Sequence, residues 1–588
     1  MGTNLDLIII GVYLCVLVCV GIVFGRIVNT GIDYFRAGGR GCWWLVGASM
    51  FMSGISAYTF VGNAAGIYQS GWSPLAIYLA NITGFLLAAL FLAAWYRQMR
   101  VVTFAEVLKE RFGKTSEQIV TYLLVLNGYM WSGVVLYTLA VFTKTVIPDV
   151  SVQLLIAVVG TVVVFYCTIG GNWAVMANDF VQGLVLVAVI SIVTALCLLK
   201  SGGVSGFISA MNQPGVADDL TFITPVPAGE TIWTAKYTLA WIVIAFVIQF
   251  ANQTSLFQGV RYFSAKDGRE ARKASAFAGI LMVLGLAVFF IPPIYARLFL
   301  PEQVLAMDTS PAKAVEYAYA VASYNVLPRG TFSIMLVAIF AAAISSLDTG
   351  LNQNAALIVR DLMPPVRKQF GFAAVSPERE VFFGKIATVI SGVIIMSIAL
   401  IYSYAKDVTI FDLMMQLAGR LIFPQMIPLT LFLFFRKVPR WGLLSSIAGG
   451  FLPSILEFIF GWRFSYQIMG LSVLAGGCTG FFIACVFWKN VSPEEKMAAE
   501  TFYRKMRQPI DFSRETGNAN DAFQLIQIGR FAALLGGLTL ILLVPLKLPA
   551  ARLVVLILAG FIGGIGLIMM HSGKRIARKA TEIEGVNS

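Results

Sequence analysis

The 588-residue sequence contains few charged residues, a single histidine and no closely paired cysteines. Only 12% of its residues are charged and 58% are hydrophobic, whereas a soluble domain uses about twice as much charge. His571 lies near the end of the chain, which excludes imidazole as a central group. The seven cysteines show no CxxC spacing, which excludes a disulfide framework and a zinc site. This composition indicates an all-α polytopic membrane protein, because lipid covers apolar surface that a soluble core cannot bury.

Basic residues outnumber acidic residues by 43 to 30, yet their positions argue against nucleic acid as a partner. Lysine and arginine concentrate in short loops between apolar segments, as the positive-inside rule describes. The first apolar run lacks a basic start and is followed by Arg26, so we expect it to be retained rather than cleaved as a signal peptide. The lipid bilayer of the plasma membrane is therefore the expected surrounding.

Hydropathy predicts about 15 transmembrane helices, each formed by roughly 20 apolar residues. They span residues 6–25, 43–67, 74–96, 119–147, 152–169, 174–199, 233–257, 274–300, 331–359, 383–404, 409–435, 441–460, 466–488, 531–547 and 551–571. An odd number of crossings places the two termini on opposite sides. Most basic residues then lie in cytoplasmic loops if the N-terminus is outside and the C-terminus is inside.

Three of these segments are interrupted by small and hydroxyl-bearing residues. Such residues occur at Gly47–Gly62, at Asn252–Ser255 and at Ala341–Asn352. Small residues allow close packing of helices, and Ser or Thr can bond neighbouring helices. An unwound transmembrane helix also exposes carbonyl oxygens, which are the ligands that a hard cation such as sodium takes. The first two interruptions lie five segments apart, which fits the first helices of two inverted five-helix repeats.

Four motifs in this part of the chain resemble the solute:sodium symporter family, the relatives of sodium–glucose and sodium–proline cotransporters. They are DYFRAGGR at 33–40 with WWLVGAS at 43–49, TIGGNWAVMAND at 168–179, RYFSAKD at 261–267, and SSLDTGLN at 345–352. The resemblance implies sodium-coupled symport of a small polar organic solute by alternating access. It also implies a leucine-transporter-type fold.

The chain then divides into six regions. They are a leading helix and loop at 1–42, repeats at 43–199 and 233–435, two added helices at 436–488, a cytoplasmic loop at 489–530, and two last helices with a basic tail at 531–588.

The resemblance also places the sodium ion, the implied cofactor. Its ligands fall on the carbonyls of Met52, Ile55 and Ala342 and on the hydroxyls of Ser345 and Ser346. Asp179 matches an acidic residue tied in some members to a second sodium site. Those members carry a hydroxyl where this chain has Ala342, so a second sodium is not expected. A helix-end carboxylate facing water is the alternative for Asp179, and a proton-coupled transporter would also depend on it.

The solute is the least determined part of the prediction, and a sugar, a carboxylate and an amino acid all remain open. Candidate lining residues are Tyr58, Thr59, Asn81, Asn252, Gln253, Gln416 and Arg420. Arg420 is the only basic residue within a core segment, and Gln416 lies one helical turn before it. An arginine at that depth binds a carboxylate or forms a structural ion pair, with Asp412 or Asp348 as the expected partner.

An enzyme is the first competing function. It would need convergent histidine, cysteine or paired carboxylates within the segments, and Asp179 and Asp348 do not provide such a set. A transporter-like sensor acting through a partner protein is the second. Its partner could dock on the charged stretch after residue 490, although we expect no obligate protein partner.

Overall fold

The computed structural model describes residues 40–145, 147, 149–373, 375–405, 408–515, 521–546 and 548–586. The predicted leading helix at 6–25 lies outside the described residues, as does most of the DYFRAGGR motif. All regular elements in the described ranges are helices. One isolated β-bridge pairs Gly41 with Ala265. The prediction of an all-α protein is confirmed for this part of the chain.

The first half of the described chain contains nine α-helices that precede residue 260. Their bounds are α1 Trp43–Ser53, α2 Ala64–Ser70, α3 Leu75–Leu87, α4 Ala93–Gln98, α5 Phe104–Lys144, α6 Val152–Lys200, α7 Gly203–Met211, α8 Leu239–Thr254 and α9 Leu256–Gly259. Short π-helices cover Thr59–Asn63 and Ala88–Leu92, and 3₁₀ turns cover Ala217–Leu220 and Val260–Ser264.

Fifteen further α-helices follow. Their bounds are α10 Gly268–Phe299, α11 Pro301–Leu305, α12 Pro311–Ala314, α13 Ala318–Val326, α14 Phe332–Leu357, α15 Met363–Gln369, α16 Pro377–Ser403, α17 Ile410–Leu417, α18 Phe423–Phe434, α19 Gly442–Phe460, α20 Tyr466–Val486, α21 Pro493–Arg507, α22 Phe512–Glu515, α23 Asp521–Thr539 and α24 Pro549–Val586. Two more π-helices cover Ile358–Leu362 and Ala418–Ile422, and 3₁₀ turns cover Val315–Tyr317, Phe487–Asn490 and Leu540–Leu543.

The described residues include eleven helices long and apolar enough to cross a membrane, or twelve if the bent pair α8 and α9 forms one crossing. Two of the three predicted interruptions are breaks, whereas the third, at Ala341–Asn352, lies within the continuous helix α14. The chain leaves helical geometry at Gly54–Ser56 between α1 and the π-helix Thr59–Asn63, and it bends by 41° at Ser255 between α8 and α9. The polar residues at these two positions therefore interrupt their helices, as the sequence predicted.

Several predicted boundaries differ from the structure. The segments predicted at 152–169 and 174–199 both lie within the single helix α6. Helix α23 begins at Asp521, about ten residues before the predicted segment at 531–547, because Asp521–Arg530 continues the helix with polar side chains that hydropathy does not count. The predicted loop 489–530 contains helix α21, where the Ser492 hydroxyl accepts a hydrogen bond from the Glu495 amide at 3.3 Å.

Helix α14 lies at the centre of the molecule and packs against α5, α6 and α16. The apolar part of the continuous span Phe332–Gln369 is 88% buried, more than that of any other membrane-length helix described. Helix α1 packs beside α6 and α10, and its start is fixed by backbone hydrogen bonds from Gly41 to Ser264 and from Lys266 to Gly41. These contacts bring the two helix breaks and the middle of α14 together.

Candidate functional site

The first helix break is stabilised by its own side chains. The Ser56 hydroxyl accepts a hydrogen bond from the Tyr58 amide at 3.2 Å, and the Thr59 hydroxyl accepts one from the Ser56 amide at 3.3 Å. The Ser56 hydroxyl therefore acts as an N-cap where the helix restarts. The Met52 carbonyl accepts a bond from the Ile55 amide at 3.0 Å, which closes the last turn of α1.

Two of the predicted sodium ligands meet directly across the break. The Ser346 hydroxyl on α14 donates to the Ile55 carbonyl at 3.1 Å, although 291 residues separate them in the chain. Ala342 lies one turn earlier on α14 and is fully buried. The break therefore presents carbonyl and hydroxyl oxygens to one another in a buried, uncharged setting.

Two further predicted ligands, Asp179 and Ser345, are hydrogen-bonded to each other. The Ser345 hydroxyl donates to one carboxylate oxygen of Asp179 at 2.5 Å, and the Ser49 hydroxyl donates to the other at 2.6 Å. The guanidinium of Arg261 lies 3.5 Å from the same carboxylate and also hydrogen-bonds to Ser49. Asp179 is 1% exposed, so water does not reach its carboxylate. The guanidinium of Arg261 neutralises the charge of this buried carboxylate instead.

A central cavity of about 320 Å³ lies between the two breaks. Its lining includes the Ser346 side of α14 and five of the predicted solute residues, namely Tyr58, Thr59, Asn81, Asn252 and Gln253. At one end the lining reaches Val102, Thr103, Phe104, Arg261 and Ser264, and at the other it reaches Asn63, Ile77, Met414 and Met415. This volume is within the range of small-molecule binding pockets.

Several polar atoms of the cavity lining have no hydrogen-bond partner among the described residues. They are the Tyr58 hydroxyl, both side-chain atoms of Asn127, the Ser132 hydroxyl, the Asn352 oxygen and the Asn354 nitrogen. Each of these five residues is at least 94% buried. A buried polar group normally has a partner, so this set of donors and acceptors fits a polar molecule held in the cavity.

Four of these five residues were missed by the sequence prediction. Asn127 and Ser132 lie on α5, and Asn352 and Asn354 lie on α14. Helix α5 approaches α14 closely at Gly128, where an added Cβ would lie 2.6 Å from the Asn354 oxygen. For Asn127 and Asn354 the available signal was an amide inside an apolar segment, which also occurs wherever helices pack through polar contacts. Asn352 was named only as the last residue of the SSLDTGLN motif.

The second break has its carbonyls occupied by protein side chains. The Tyr96 hydroxyl donates to the Thr254 carbonyl at 2.7 Å, and the Thr430 hydroxyl donates to the Ala251 carbonyl at 3.1 Å. Ser255 caps the break by donating to the Asn252 carbonyl at 2.8 Å. The Asn252 and Gln253 side chains line the cavity, so this break contributes side chains rather than carbonyl oxygens.

Gln416 and Arg420 lie outside the cavity lining. Gln416 is exposed, and Arg420 lies in the π-helix Ala418–Ile422. The guanidinium of Arg420 forms two hydrogen bonds to the carboxylate of Glu457 on α19, at 2.8 and 2.9 Å. Of the two alternatives for Arg420, the structure contains the ion pair, but its partner is Glu457 rather than Asp412 or Asp348, and Asp412 pairs with Lys236 at 2.9 Å.

Comparison with protein families gives a match to the model of the sodium:solute symporter family over residues 34–450. Among curated proteins, the sodium/sialic acid symporter NanT of Aliivibrio fischeri is 26% identical over 506 residues, which cover 84% of this chain and 95% of that protein. The rat sodium/glucose cotransporter 2 is 25% identical over 501 residues, which cover 78% of this chain and 72% of that protein.

Solved structures share the fold. The substrate-bound, outward-open structure of a Na⁺-coupled sialic acid symporter aligns with a TM-score of 0.71 at 20% identity, covering 84% of this chain and 98% of that one. Mhp1, a transporter of the nucleobase-cation-symport-1 family in a closed conformation, aligns with a TM-score of 0.50 at 14% identity, covering 81% of this chain and 99% of that one.

Proposed function

This chain belongs to the sodium:solute symporter family, so it is a sodium-coupled secondary active transporter, and we propose that its solute is a neutral, polyhydroxylated molecule. The relatives are named as transporters, which supports neither an enzyme nor the sensor alternative. One sodium ion moving through about 100 mV releases roughly 2.3 kcal/mol. That energy alone supports roughly 50-fold accumulation of a neutral solute.

We assign the coupled sodium ion to the first break. The oxygens of Ile55 and Ser346 already face one another at 3.1 Å. When sodium arrives, the Ser346 hydroxyl turns its proton away from the Ile55 carbonyl, so that both oxygens offer lone pairs to the ion. The carbonyls of Met52 and Ala342 and the hydroxyl of Ser345 complete the proposed ligand set, which contains only neutral oxygens.

We propose that a single sodium ion is coupled to each solute. The carboxylate of Asp179 is the only charged group in the predicted ligand set, and the guanidinium of Arg261 already lies beside it at 3.5 Å. A second cation at this carboxylate would have to displace or approach that positive charge, which is unfavourable in a buried setting. Ala342 supplies no side-chain oxygen there either.

The partnerless atoms of the cavity indicate the chemistry of the solute. They include acceptors, such as the Asn352 oxygen, donors, such as the Asn354 nitrogen, and hydroxyls that do both. Arg261, the one cation among the described lining residues, is engaged with Ser49 and Asp179. Hydroxyl groups of a solute both donate and accept, whereas a carboxylate only accepts. The lining therefore favours a sugar or polyol over an anion.

We propose that the described conformation is open toward the cytoplasm. The cavity lining extends to Val102–Phe104 and Ser264, which follow the ends of α4 and α9. These ends are cytoplasmic in the predicted topology of about 15 helices, with the N-terminus outside and inverted repeats at 43–199 and 233–435. The added helices at 436–488, the loop region 489–530 and the last region 531–588 lie beyond the repeats in this proposal.

Uptake by purified protein in proteoliposomes tests the solute class. We expect a sodium gradient to drive uptake of glucose or myo-inositol and not of sialate or proline. Asn127→Ala should raise the solute KM about 2- to 10-fold, because it removes about one hydrogen bond to the solute. The dependence of uptake on sodium should stay unchanged. Thr121→Ala is the matched control, because Thr121 is buried on the same helix and outside the cavity lining. Preference for sialate or proline would overturn the proposed class.

A further inference from the structure

A second cavity, of about 390 Å³, lies behind helix α1. Its walls come from α1, α6, α10 and the last two helices. The lining residues are Trp44, Ala48, Phe51, Met52, Phe180, Gly183, Leu184, Val187, Phe277, Leu281, Leu525, Phe561, Ile565 and Met569. None of the described side chains that line it carries a charge or an amide, and Trp44 is the only one of them with a polar tip. We refer to it as the apolar cavity.

The apolar cavity exists because its walls are held by contacts on either side of it. Helices α23 and α24 pack on each other through glycines, and an added Cβ at Gly536 would lie 2.6 Å from the Gly563 nitrogen. This hairpin rests on α6. Helix α1 is held against α10, where an added Cβ at Gly47 would lie 2.6 Å from the Ala274 carbonyl oxygen. Because the hairpin is held on α6 and α1 is held on α10, α1 and the hairpin do not pack against each other and a space remains between them.

The lining decides what can occupy this space. A water molecule needs two to four polar partners, and an apolar cavity of about 150 Å³ stays dry while accepting an apolar molecule. A polar solute would lose its hydration without gaining hydrogen bonds. The wall residue Phe561 is 41% exposed on the outside of α24, so the cavity lining is continuous with the surface that faces lipid. The membrane supplies hydrocarbon at this surface.

We propose that the apolar cavity binds an acyl chain of a membrane phospholipid. The chain would lie against Ala48, Phe51 and Met52, on the side of α1 away from the central cavity. Met52 is in the last turn before the first break, and its carbonyl belongs to the sodium ligand set that we propose. A bound chain would therefore hold α1 in place beside the sodium site. Only this last consequence rests on the proposed function.

Photo-crosslinking in proteoliposomes tests the binding without using transport. A phosphatidylcholine with a diazirine in its acyl chain is activated in the absence of sodium and solute, and labelled peptides are mapped. We expect labels on residues 48–52 and 561–569. Ala48→Phe fills the cavity and should abolish the labels at 48–52. Leu86→Phe is the control, because Leu86 is 59% exposed on α3, and it should leave those labels unchanged.

Leu184→Trp provides a second filling variant on α6 if Ala48→Phe fails to elute as a monodisperse protein. Unchanged labelling of residues 48–52 in a folded filling variant would overturn the proposal. Labels confined to outward-facing residues, such as Phe458 at 89% exposure, would also overturn it. Labelling of residues 48–52 in an unmutated protein that shows no sodium-driven uptake would instead count against the proposed transport function alone.

Discussion

At the scale of residues, the uncharged groups around the first break are better placed to bind sodium than the charged ones. The Ile55 carbonyl is accessible to Ser346 because the chain has left helical geometry at that point. Arg420, Asp179 and Arg261 are each engaged with a charged partner of the protein. A hydroxyl and a carbonyl can give up their hydrogen bond to an arriving ion at lower cost than a buried ion pair can be separated.

Replacing Ser346 by alanine tests the sodium ligand set. Ser346→Ala removes one oxygen, so we expect the sodium KM to rise about 10- to 100-fold, the range for one hydrogen bond to a charged group. The solute KM at saturating sodium should change less. Ser333→Ala is the matched control, since Ser333 is fully buried on the same helix and outside the cavity lining. Equal effects of the two variants on sodium affinity would contradict the assignment.

The pairing of Arg420 gives a prediction about stability. Glu457→Gln and Arg420→Lys should each lower the free energy of unfolding by about 1–2 kcal/mol, because each weakens a partly exposed bidentate pair. Solute KM should stay unchanged. Thermal denaturation in detergent and uptake assays measure the two effects, with Arg463→Lys as an exposed control. A large rise in solute KM for Arg420→Lys alone would show that this arginine binds a carboxylate of the solute.

At the scale of elements, helix α21 and the residues after it connect parts of the chain that lie far apart. The guanidinium of Arg100, after α4, bonds to both carboxylate oxygens of Glu515 at 2.6 and 2.9 Å. Lys505 bonds to Glu110 on α5 at 3.0 Å, and the Glu495 carboxylate accepts from the Arg440 amide at 2.7 Å. This segment therefore joins α4, α5 and the end of α18 at one face of the molecule.

The ion pair between Arg100 and Glu515 predicts a pH-dependent attachment of this segment. Hydrogen bonds from Arg100 hold the pKa of Glu515 below its ordinary value of 4.5. A lowered carboxyl pKa stabilises the folded contact above that ordinary value, and the contribution is lost as the pH falls through the lower, folded pKa. Limited proteolysis should therefore cut within 508–524 faster in acid below pH 4.5 than at pH 7.

The same cleavage should be fast at pH 7 in Glu515→Gln. Glu500→Gln is the control, because Glu500 is exposed on α21 and makes no ion pair with a described residue. Slow cleavage of Glu515→Gln at neutral pH would show that the pair does not hold the segment.

The helices themselves were largely predictable from the sequence, because apolar runs and polar interruptions are local signals. Both breaks lie where the sequence placed them. The cavity residues Asn127 and Asn354 were not predictable, since their roles arise from the contact of α5 with α14 at Gly128. The partner of Arg420 was also missed, because Glu457 lies 37 residues away on another helix and no periodicity relates the two.

At the scale of the whole molecule, polar contacts collect at two opposite ends of the helices. At one end lie the ion pairs Arg100–Glu515 and Lys266–Asp521. At the other end lie the ion pairs Arg297–Asp219 and Lys236–Asp412. The positive-inside argument assigns the first end to the cytoplasm. Cysteines placed singly at Glu230 and Glu494 should therefore react from opposite sides with an impermeant reagent, with the unmutated protein as background. Reaction from the same side would refute this topology.

Coupled flux measures the central claim most directly. Proteoliposomes at zero membrane potential receive labelled sodium together with glucose or myo-inositol, and both influxes are followed in the same vesicles. We predict that solute increases sodium influx, that sodium increases solute influx, and that the two increments agree at one sodium ion per solute molecule. Solute influx that is equal in potassium and in sodium, or sodium influx that no solute changes, would contradict sodium-coupled symport by this protein.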